Sequence, residues 1–217
     1  AAKLTVPDGF SIEVAAPPPL VAHPTMACFD GRGRLFVAEN AGVNLSAAEL
    51  EEKLPNSVRM LEDTDGDGEA DTRTVFADGL YIPTGFVLSE DGAYVVDQPN
   101  LVHVRDTNGD GVADTKEVLL NGLGAEDSHH AMSALTWGHD GAIYFNEGTF
   151  HHTQIETPWG PRRLQHGGVI RYKPDTEQVD IVVSFPFANP WGHVIDRWGQ
   201  SVISDASNGY NYKMTHL

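Results

Sequence analysis

Cysteine is almost absent from this chain of 217 residues. The single cysteine, Cys28, cannot form a disulfide within the chain, and one thiol is too few for a cysteine zinc site. A Cys-x-x-Cys-His haem attachment site is excluded for the same reason. The disulfide-rich, cysteine-zinc and c-type haem classes are therefore excluded for this segment.

Basic residues are also scarce, since 14 Lys and Arg stand against 31 Asp and Glu and give a net charge of −17. Nucleic acids and anionic lipid surfaces attract positive charge, so this balance argues against both as partners. No apolar run approaches the ~20 residues of a membrane-spanning helix. With 41% hydrophobic residues, 22 Gly and 13 Pro, we expect a soluble globular protein with many turns.

The chain does contain an acidic loop that occurs twice. The nine residues 63–71 recur 43 residues later as 106–114. Both copies have oxygen-bearing side chains at positions 1, 3, 5 and 9, a Gly at position 6 and a backbone carbonyl at position 7, the pattern that Ca²⁺ prefers. The predicted ligands are Asp63, Asp65, Asp67, Asp71 and the Glu69 carbonyl in the first loop, and Asp106, Asn108, Asp110, Asp114 and the Val112 carbonyl in the second.

These loops differ from an EF-hand in their flanks. Position 12 is Thr74 in the first loop and Glu117 in the second, so only the second could add a bidentate carboxylate. The flanking segments 57–61 and 72–76 are short and rich in apolar and β-branched residues, which indicates strands and not helices. Each Ca²⁺ is therefore predicted to rigidify the turn of a hairpin. The competing interpretation is a pair of solvated Asp/Gly turns.

A calcium loop without the twelfth-position Glu should be weak, and such sites suit compartments where Ca²⁺ is abundant. We therefore expect an exported protein, periplasmic or secreted. The chain begins Ala1-Ala2-Lys3 with no hydrophobic segment. This start fits a mature form after signal cleavage, although a trimmed chain would look the same.

A longer repeat organises the whole chain. Two apolar runs meet at a turn four times, with turn glycines at Gly33, Gly92, Gly141 and Gly199, spaced by 59, 49 and 58 residues. Repeats of roughly 40–50 residues with several strands each are typical of β-propeller blades. We predict an all-β, single-domain propeller over residues 1–217, with four-stranded blades, about three and a half present of a probable six. A capping box at Ser46 and Glu49 predicts one short helical insertion over 46–54.

Two further elements follow from the blade pattern. In the third blade an ordinary turn over 174–178 replaces the calcium loop. The alternating segment Phe10–Val14 predicts an amino-terminal strand, which in a closed propeller pairs with the last blade. We expect a missing carboxyl-terminal segment or a partner chain to complete the ring.

Several motifs together resemble a known family. They are Val6-Pro7-Asp8-Gly9-Phe10, the segment 29–37, the two Asp-rich loops and the segment 189–199. They are similar to the planctomycete and verrucomicrobial membrane-bound dehydrogenase family, the propeller domain of PVC-type haem-binding proteins. That family is similar in turn to soluble glucose and sorbosone dehydrogenases, six-bladed propellers that hold pyrroloquinoline quinone. The resemblance implies a sugar or alcohol oxidoreductase with a small sugar-like substrate.

The same resemblance implies site residues. The run from His130 through Gly138 to Tyr144 is similar to a quinone-dehydrogenase segment whose His is the general base, which makes His130 the catalytic candidate. The segment Asn189-Pro190-Trp191-Gly192 is similar to an Asn-Pro-Gln-Gly cofactor segment, although Ala188 replaces the Arg that precedes it. Cofactor-binding candidates are therefore Asn189, Trp191 and, as a cation for an anionic cofactor, Arg162.

Alternatives remain open at this point. His130 could instead hydrogen-bond a neighbouring carbonyl, and Arg162 could form a local salt bridge. The polar residues Glu39, Gln98, Glu147 and Asp205 each lie six residues after a turn glycine, so they should ring the mouth of the channel, where they bind a sugar or a cation or are simply solvated. The whole domain could also be a Ca²⁺-stabilised scaffold or an accessory subunit, since a propeller fold does not fix a function.

Overall fold

The computed structural model describes residues 4–40, 45–127, 130–207 and 209–214. Blade 1 contains β1 (Pro24–Phe29), β2 (Leu35–Glu39), β3 (Asn56–Glu62) and β4 (Thr72–Leu80), and the helix α1 (Ala47–Lys53) lies between β2 and β3. Blade 2 contains β5 (Pro83–Leu88), β6 (Gly92–Asp97), β7 (Asn100–Arg105) and β8 (Thr115–Asn121). Each blade is an antiparallel sheet whose strands follow one another in chain order.

Blade 3 begins with β9 (Ser133–Trp137) and β10 (Ile143–Glu147), continues through a hairpin of β11 (His152–Ile155) and β12 (Arg162–Gln165), and ends with β13 (Gly168–Lys173) and β14 (Gln178–Ser184). The hairpin forms a separate two-stranded sheet. Blade 4 contains β15 (Gly192–Ile195), β16 (Ser201–Asp205) and β17 (Tyr210–Met214). The chain is an all-β propeller with four blades, which confirms the predicted fold class.

Buried apolar side chains hold neighbouring blades together. One hydrophobic cluster lies between blades 1 and 2, a second between blades 2 and 3, and a third between blades 3 and 4. The first strands β1, β5, β9 and β15 lie side by side in this order, whereas the described strands show no comparable packing of β15 against β1. The described strands therefore form no closed ring, and a ring of six blades stays a prediction.

Strand register defines two ends of the propeller. Glu39 pairs with Pro24 and with Ser57, whereas Leu35 pairs with Phe29 and Leu61. One end, which we call the mouth end, therefore carries the beginnings of the first strands and the ends of the second strands. The opposite end, the turn end, carries the β1–β2 turn and the loop 63–71 that follows β3.

The helix was predicted correctly and the amino-terminal strand was not. Ser46 caps α1 in a complete capping box with Glu49. The segment Phe10–Val14 forms no strand, and its apolar side chains are exposed. It lies along loop 63–71, where Ala70 N donates to Ala15 O at 2.8 Å. Alternation alone does not make a strand when the described part of the chain offers no neighbouring strand to pair with it.

Candidate functional sites at the two ends of the propeller

The two acidic loops fold in the same way at the turn end. In the first, the carboxylate of Asp63 accepts the N–H groups of Gly66 and Gly68 at 2.7 and 2.9 Å. In the second, Asp106 accepts those of Gly109 and Gly111 at 2.7 and 2.8 Å. These four glycines have φ between 80° and 94°, a region that side chains other than glycine rarely adopt. Two separate sequences therefore reach one loop geometry.

The oxygen atoms of the first loop converge. One ligand oxygen each from Asp63, Asp65 and Asp71 lie within 4.8 Å of one another, and all three residues are exposed. In the second loop, a hydrogen bond from the Gly111 N–H lowers the pKa of Asp106 below its ordinary value, so this carboxylate is ionised at neutral pH. Clustered carboxylate oxygens are the donor set of a hard cation such as Ca²⁺, so the residues fit the predicted ion.

The second loop supplies the amide oxygen of Asn108 where the first supplies Asp65. Its predicted additional ligand, Glu117, lies on β8 opposite His103, where its carboxylate is 3.7 Å from the guanidinium of Arg105. The structure thus gives Glu117 an exposed cross-strand partner and does not bring it into the loop. Strand pairing, which begins at Thr115, places position 12 on β8 and outside the predicted cation loop.

The second loop also joins two blades. Ala113 N donates to Phe76 O of β4 at 2.7 Å, and Gly111 lies against Met60 of β3. A cavity of about 490 Å³ lies beside this loop, between the turns 30–34 of blade 1 and 88–92 of blade 2. Most of the residues that line this cavity belong to the turn end. A cation in the second loop would consequently rigidify the contact between blades 1 and 2.

At the mouth end, the second strands of three blades end in a carboxylate that binds backbone amides. Glu39 accepts the N–H groups of Ala22 and His23, the latter at 3.1 Å. Asp97 accepts those of Tyr81 and Ile82 at 2.6 and 3.2 Å, and Asp205 those of Ala188 and Asn189 at 2.9 and 3.1 Å. We call these three carboxylates the latches. Each ties the residues before a first strand to the end of the second strand.

The latches correct the predicted ring of polar groups. Glu39 and Asp205 are buried and occupied with backbone, so they are not free to bind a sugar. The equivalent residue in blade 2 is Asp97 and not Gln98, because Leu88 pairs with Ala93 and the glycine of that turn, Gly92, already belongs to β6. Gln98 instead donates through Nε2 to the carbonyl of Gly124 at 2.7 Å.

Glu147 holds the latch position of blade 3 but has different partners. It is fully buried, its Oε2 accepts the hydroxyl of Thr153 from β11, and its Oε1 has no hydrogen-bond partner among the described residues. Burial raises the pKa of Glu147 to about 7; the Thr153 hydrogen bond opposes this shift and the charge of Glu126 adds to it. Glu147 is thus a titratable group that the fold does not use as a latch.

The neighbouring His151 is also fully buried. Its Nδ1 is 3.2 Å from Glu126 Oε2, and the Nδ1 of His152 is 3.3 Å from Glu126 Oε1. Burial opposes ionisation of Glu126, but hydrogen bonds from backbone amides and from His151 lower its pKa overall. One carboxylate therefore joins both histidines to the connection between blades 2 and 3. Sequence reasoning missed this cluster, since the only local signal was the His151-His152 pair.

The catalytic candidate His130 lies at the same end. Its carbonyl accepts the N–H of Gly148, and its Cβ and the carbonyl of Ala188 both lie close to Gly148. Its Nδ1 is 3.3 Å from Asp127 Oδ1, and Phe150 contacts the ring edge to face. The side chain is 15% exposed. A carboxylate next to one ring nitrogen of a partly buried His orients the imidazole, which is one of the features that a general base needs.

A comparison with known protein families shows which family this chain belongs to. The profile of a family described as Domain of unknown function (DUF7133) matches residues 1–216. The chain belongs to this family. No curated protein matches it.

Solved structures similar to this DUF7133 chain are propellers with little sequence similarity. The PQQ domain of pyranose dehydrogenase from Coprinopsis cinerea is 12% identical with a TM-score of 0.63, over 89% of this chain and 48% of that one. Regucalcin, a calcium-binding protein from Agrobacterium tumefaciens, is 14% identical with a TM-score of 0.51, over 89% and 59%. A gluconolactonase-like protein is 13% identical with a TM-score of 0.53, over 94% and 65%. The chain spans about half the length of the first, and at this identity the likeness shows the fold alone.

The structure gives two of the three cofactor candidates local hydrogen-bond partners. Arg162 donates to the carbonyl of Val179 on the outermost strand of blade 3 at 3.0 Å. Its guanidinium therefore makes a contact within its own blade. Asn189 donates its amide to Ser207, and Trp191 is partly exposed. Pyrroloquinoline quinone carries three carboxylates and needs cations, yet the cations beside the latches, Arg59 and Lys116, already pair with Glu39 and Asp97. These two cations are therefore not free to bind the carboxylates of this cofactor.

Proposed function

We propose that this chain is a calcium-stabilised propeller domain that binds one structural Ca²⁺ in each acidic loop. The observation that carries the proposal is the shared loop geometry, in which Asp63 and Asp106 hold equivalent glycine amides and the oxygens of Asp63, Asp65 and Asp71 converge. Without a cation, these carboxylates repel one another in a chain of net charge −17. Ca²⁺ removes that repulsion and ties loop 106–114 to blade 1.

The test compares thermal unfolding in 10 mM Ca²⁺ and in chelator. Asp67→Ala and Asp110→Ala should each lower stability in Ca²⁺ by about 3 kcal/mol, the linkage expected when Ca²⁺ is at about 100 times its Kd, and hardly at all in chelator. Asp175→Ala is the matched control, because Asp175 lies in the equivalent exposed turn of blade 3. Equal losses in both media would contradict calcium binding.

We further propose that the domain acts outside the cytoplasm, where millimolar Ca²⁺ keeps such loops filled. The described residues contain no helix long and apolar enough to cross a membrane. The acidic surface supports a small-molecule partner more than a nucleic acid or an anionic lipid. Fractionation of the native host and immunoblotting of each fraction test this proposal. Recovery in the cytoplasmic fraction would contradict it.

A second candidate is the oxidoreductase domain implied by the planctomycete and verrucomicrobial family. The observation that favours it is the pairing of His130 with Asp127 at the mouth. A His base removes the hydroxyl proton of a sugar or alcohol, and the hydride then passes to an added oxidant of the quinone or dye class. The non-catalytic scaffold or accessory subunit is the alternative, supported by the pairing of Arg59 and Lys116 with the latches.

The two candidates are separated by dye reduction with a panel of aldoses and alcohols, using the full-length protein. If His130 is the base, His130→Gln should lower turnover by about 10²–10⁴-fold. His139→Gln is the matched control, because His139 is an exposed histidine at the turn end, where it contacts Asp196 O. Absence of turnover with every substrate would leave the scaffold role.

A further inference from the structure

The connection between blades 2 and 3 is held to the mouth by polar contacts. We call residues 122–127 the strap. Leu123 N donates to Pro99 O at 3.0 Å, and Gly124 accepts Gln98 Nε2 at 2.7 Å. Gly124 N donates to Thr153 Oγ1 at 2.7 Å, and a side chain at Gly124 would collide with His151. The strap therefore packs directly on the start of β11.

Glu126 is the second attachment of the strap. Its two oxygens face the Nδ1 atoms of His151 and His152 at 3.2 and 3.3 Å. The other half of the hairpin is apolar, since Ile155 and Leu164 are buried in the cluster between blades 2 and 3. Leu123 of the strap is buried in the same cluster. Only residues 124–127 of the strap can therefore separate from the polar half of the hairpin without exposing that core.

Glu147 is joined to these contacts through Thr153. Whether its carboxyl group is neutral or ionised decides how well it fits beside the strap. The Thr153 hydroxyl connects Gly124 N to Glu147 Oε2, while Oε1 is buried without a described partner. Glu126 of the strap places a negative charge near Glu147, and β13 faces it with Gly168, which has no charge. The neutral carboxyl group fits this closed arrangement. The ionised group lacks solvation and repels Glu126.

We propose that the strap is a proton-operated cover of the mouth, closed over Glu147 while that carboxyl group is protonated and lifted when the group ionises. Asp127 at the end of the strap faces His130, so lifting the strap opens the mouth beside that residue as the pH rises through neutrality. Ionisation is driven by water that reaches Glu147 only in the lifted state. The device depends neither on Ca²⁺ nor on a catalytic role for His130.

Amide hydrogen exchange of the strap at pH 5.5, 7 and 8, corrected for intrinsic rates and measured with Ca²⁺ present, tests the cover. Protection of Gly124 in the native protein should fall by up to tenfold per pH unit above about pH 7, the limit for release of one proton. Glu147→Gln should keep the strap protected at pH 8. Glu156→Gln, an exposed carboxylate of the same hairpin, should behave as the native protein does.

Equal protection of the native strap at pH 5.5 and 8 would overturn the proposal. An unchanged pH profile in Glu147→Gln would overturn it as well. If that variant fails to fold, the ¹³C resonance of the Glu147 carboxyl group in the native protein decides. A midpoint near 7 supports the cover, and a midpoint below about 5.5 rules it out.

Discussion

Blades 1, 2 and 4 use the carboxylate at the end of their second strand as a latch, whereas blade 3 does not. Glu39, Asp97 and Asp205 each accept two backbone N–H groups from the residues that precede a first strand. Glu147 stands at the same position of the repeat, yet its contacts run to the inserted hairpin β11–β12. The difference lies in the partner and not in the side chain.

This difference separates structural carboxylates from a responsive one. A carboxylate with two amide donors is stable in its ionised form, because the donors replace the water lost on burial. Burial raises the pKa of Glu147 to about 7; its single hydroxyl donor, Thr153, opposes this shift and the negative charge of Glu126 adds to it. Within one repeat position, three copies therefore hold the blades closed and one responds to pH. Three substitutions test this comparison.

The largest effect is expected from removal of a latch. Glu39 accepts two amides and pairs with Arg59, so Glu39→Ala leaves both amides without their acceptor and a largely buried guanidinium without its carboxylate, although Arg59 still donates to Leu20 O. Loss of one partner of a buried ion pair costs about 3–5 kcal/mol, so a loss of this size is expected in the free energy of unfolding. Urea unfolding at pH 7 measures it. Glu52→Ala, on the exposed helix α1, should change stability by less than about 0.5 kcal/mol. A latch variant as stable as this control would contradict the structural role.

The next effect has the opposite sign and depends on pH. Because folding raises the pKa of Glu147 from 4.5 to about 7, the folded state holds its proton more tightly than the unfolded state does. This contribution to stability is complete below pH 4.5 and is lost as the pH rises to about 7, by about 3 kcal/mol. Glu147→Gln should therefore stabilise the protein at pH 8 relative to the native chain, and much less at pH 5. Unfolding free energies at both pH values check it.

Local patterns in the sequence predicted the loops and the blades, because their signals repeat within a few residues. The loop 63–71 carries its predicted ligands in nine residues, and the hairpins carry their turn glycines. The latches were missed because a carboxylate such as Asp205 binds amides about 16 residues earlier, and no local pattern records that pairing. The prediction counted six residues from each turn glycine. Because Gly92 already belongs to β6, the count reached Gln98, one residue beyond Asp97. Phe10–Val14 alternates as a strand does but has no described strand beside it.

The catalytic and cofactor candidates also show that local sequence patterns do not give the position of a side chain in the fold. His130 was assigned by resemblance, and the structure places it at the mouth with Asp127. Arg162 was assigned by its charge alone, and the structure places it on the outer strand of blade 3. Charge and residue type do not tell which end of a propeller a side chain occupies. The inserted hairpin, which carries Arg162 at its far end and His151 at its near end, was invisible to the blade pattern.

The smallest effect concerns the hydroxyl that joins the strap to Glu147. Thr153 is buried, accepts the N–H of Gly124 and donates to Glu147, so Thr153→Val keeps the shape and removes both bonds. The loss should be about 1–2 kcal/mol at pH 5, because an amide and a carboxyl oxygen lose their partners. The same hydrogen bond lowers the pKa of Glu147, so its midpoint should move further above 7 in this variant.

The control for Thr153 is a hydroxyl in the exposed turn of the same hairpin. Thr157 donates to Gly160 O at 2.7 Å, and Thr157→Val should leave the Glu147 midpoint unchanged. The ¹³C titration of the carboxyl group measures the midpoint, and urea unfolding measures the loss. A Thr153→Val variant whose midpoint stays that of the native chain would show that the hydroxyl does not couple the strap to Glu147. The contrast between blade 3 and the three latched blades would then rest on burial and on the charge of Glu126 alone.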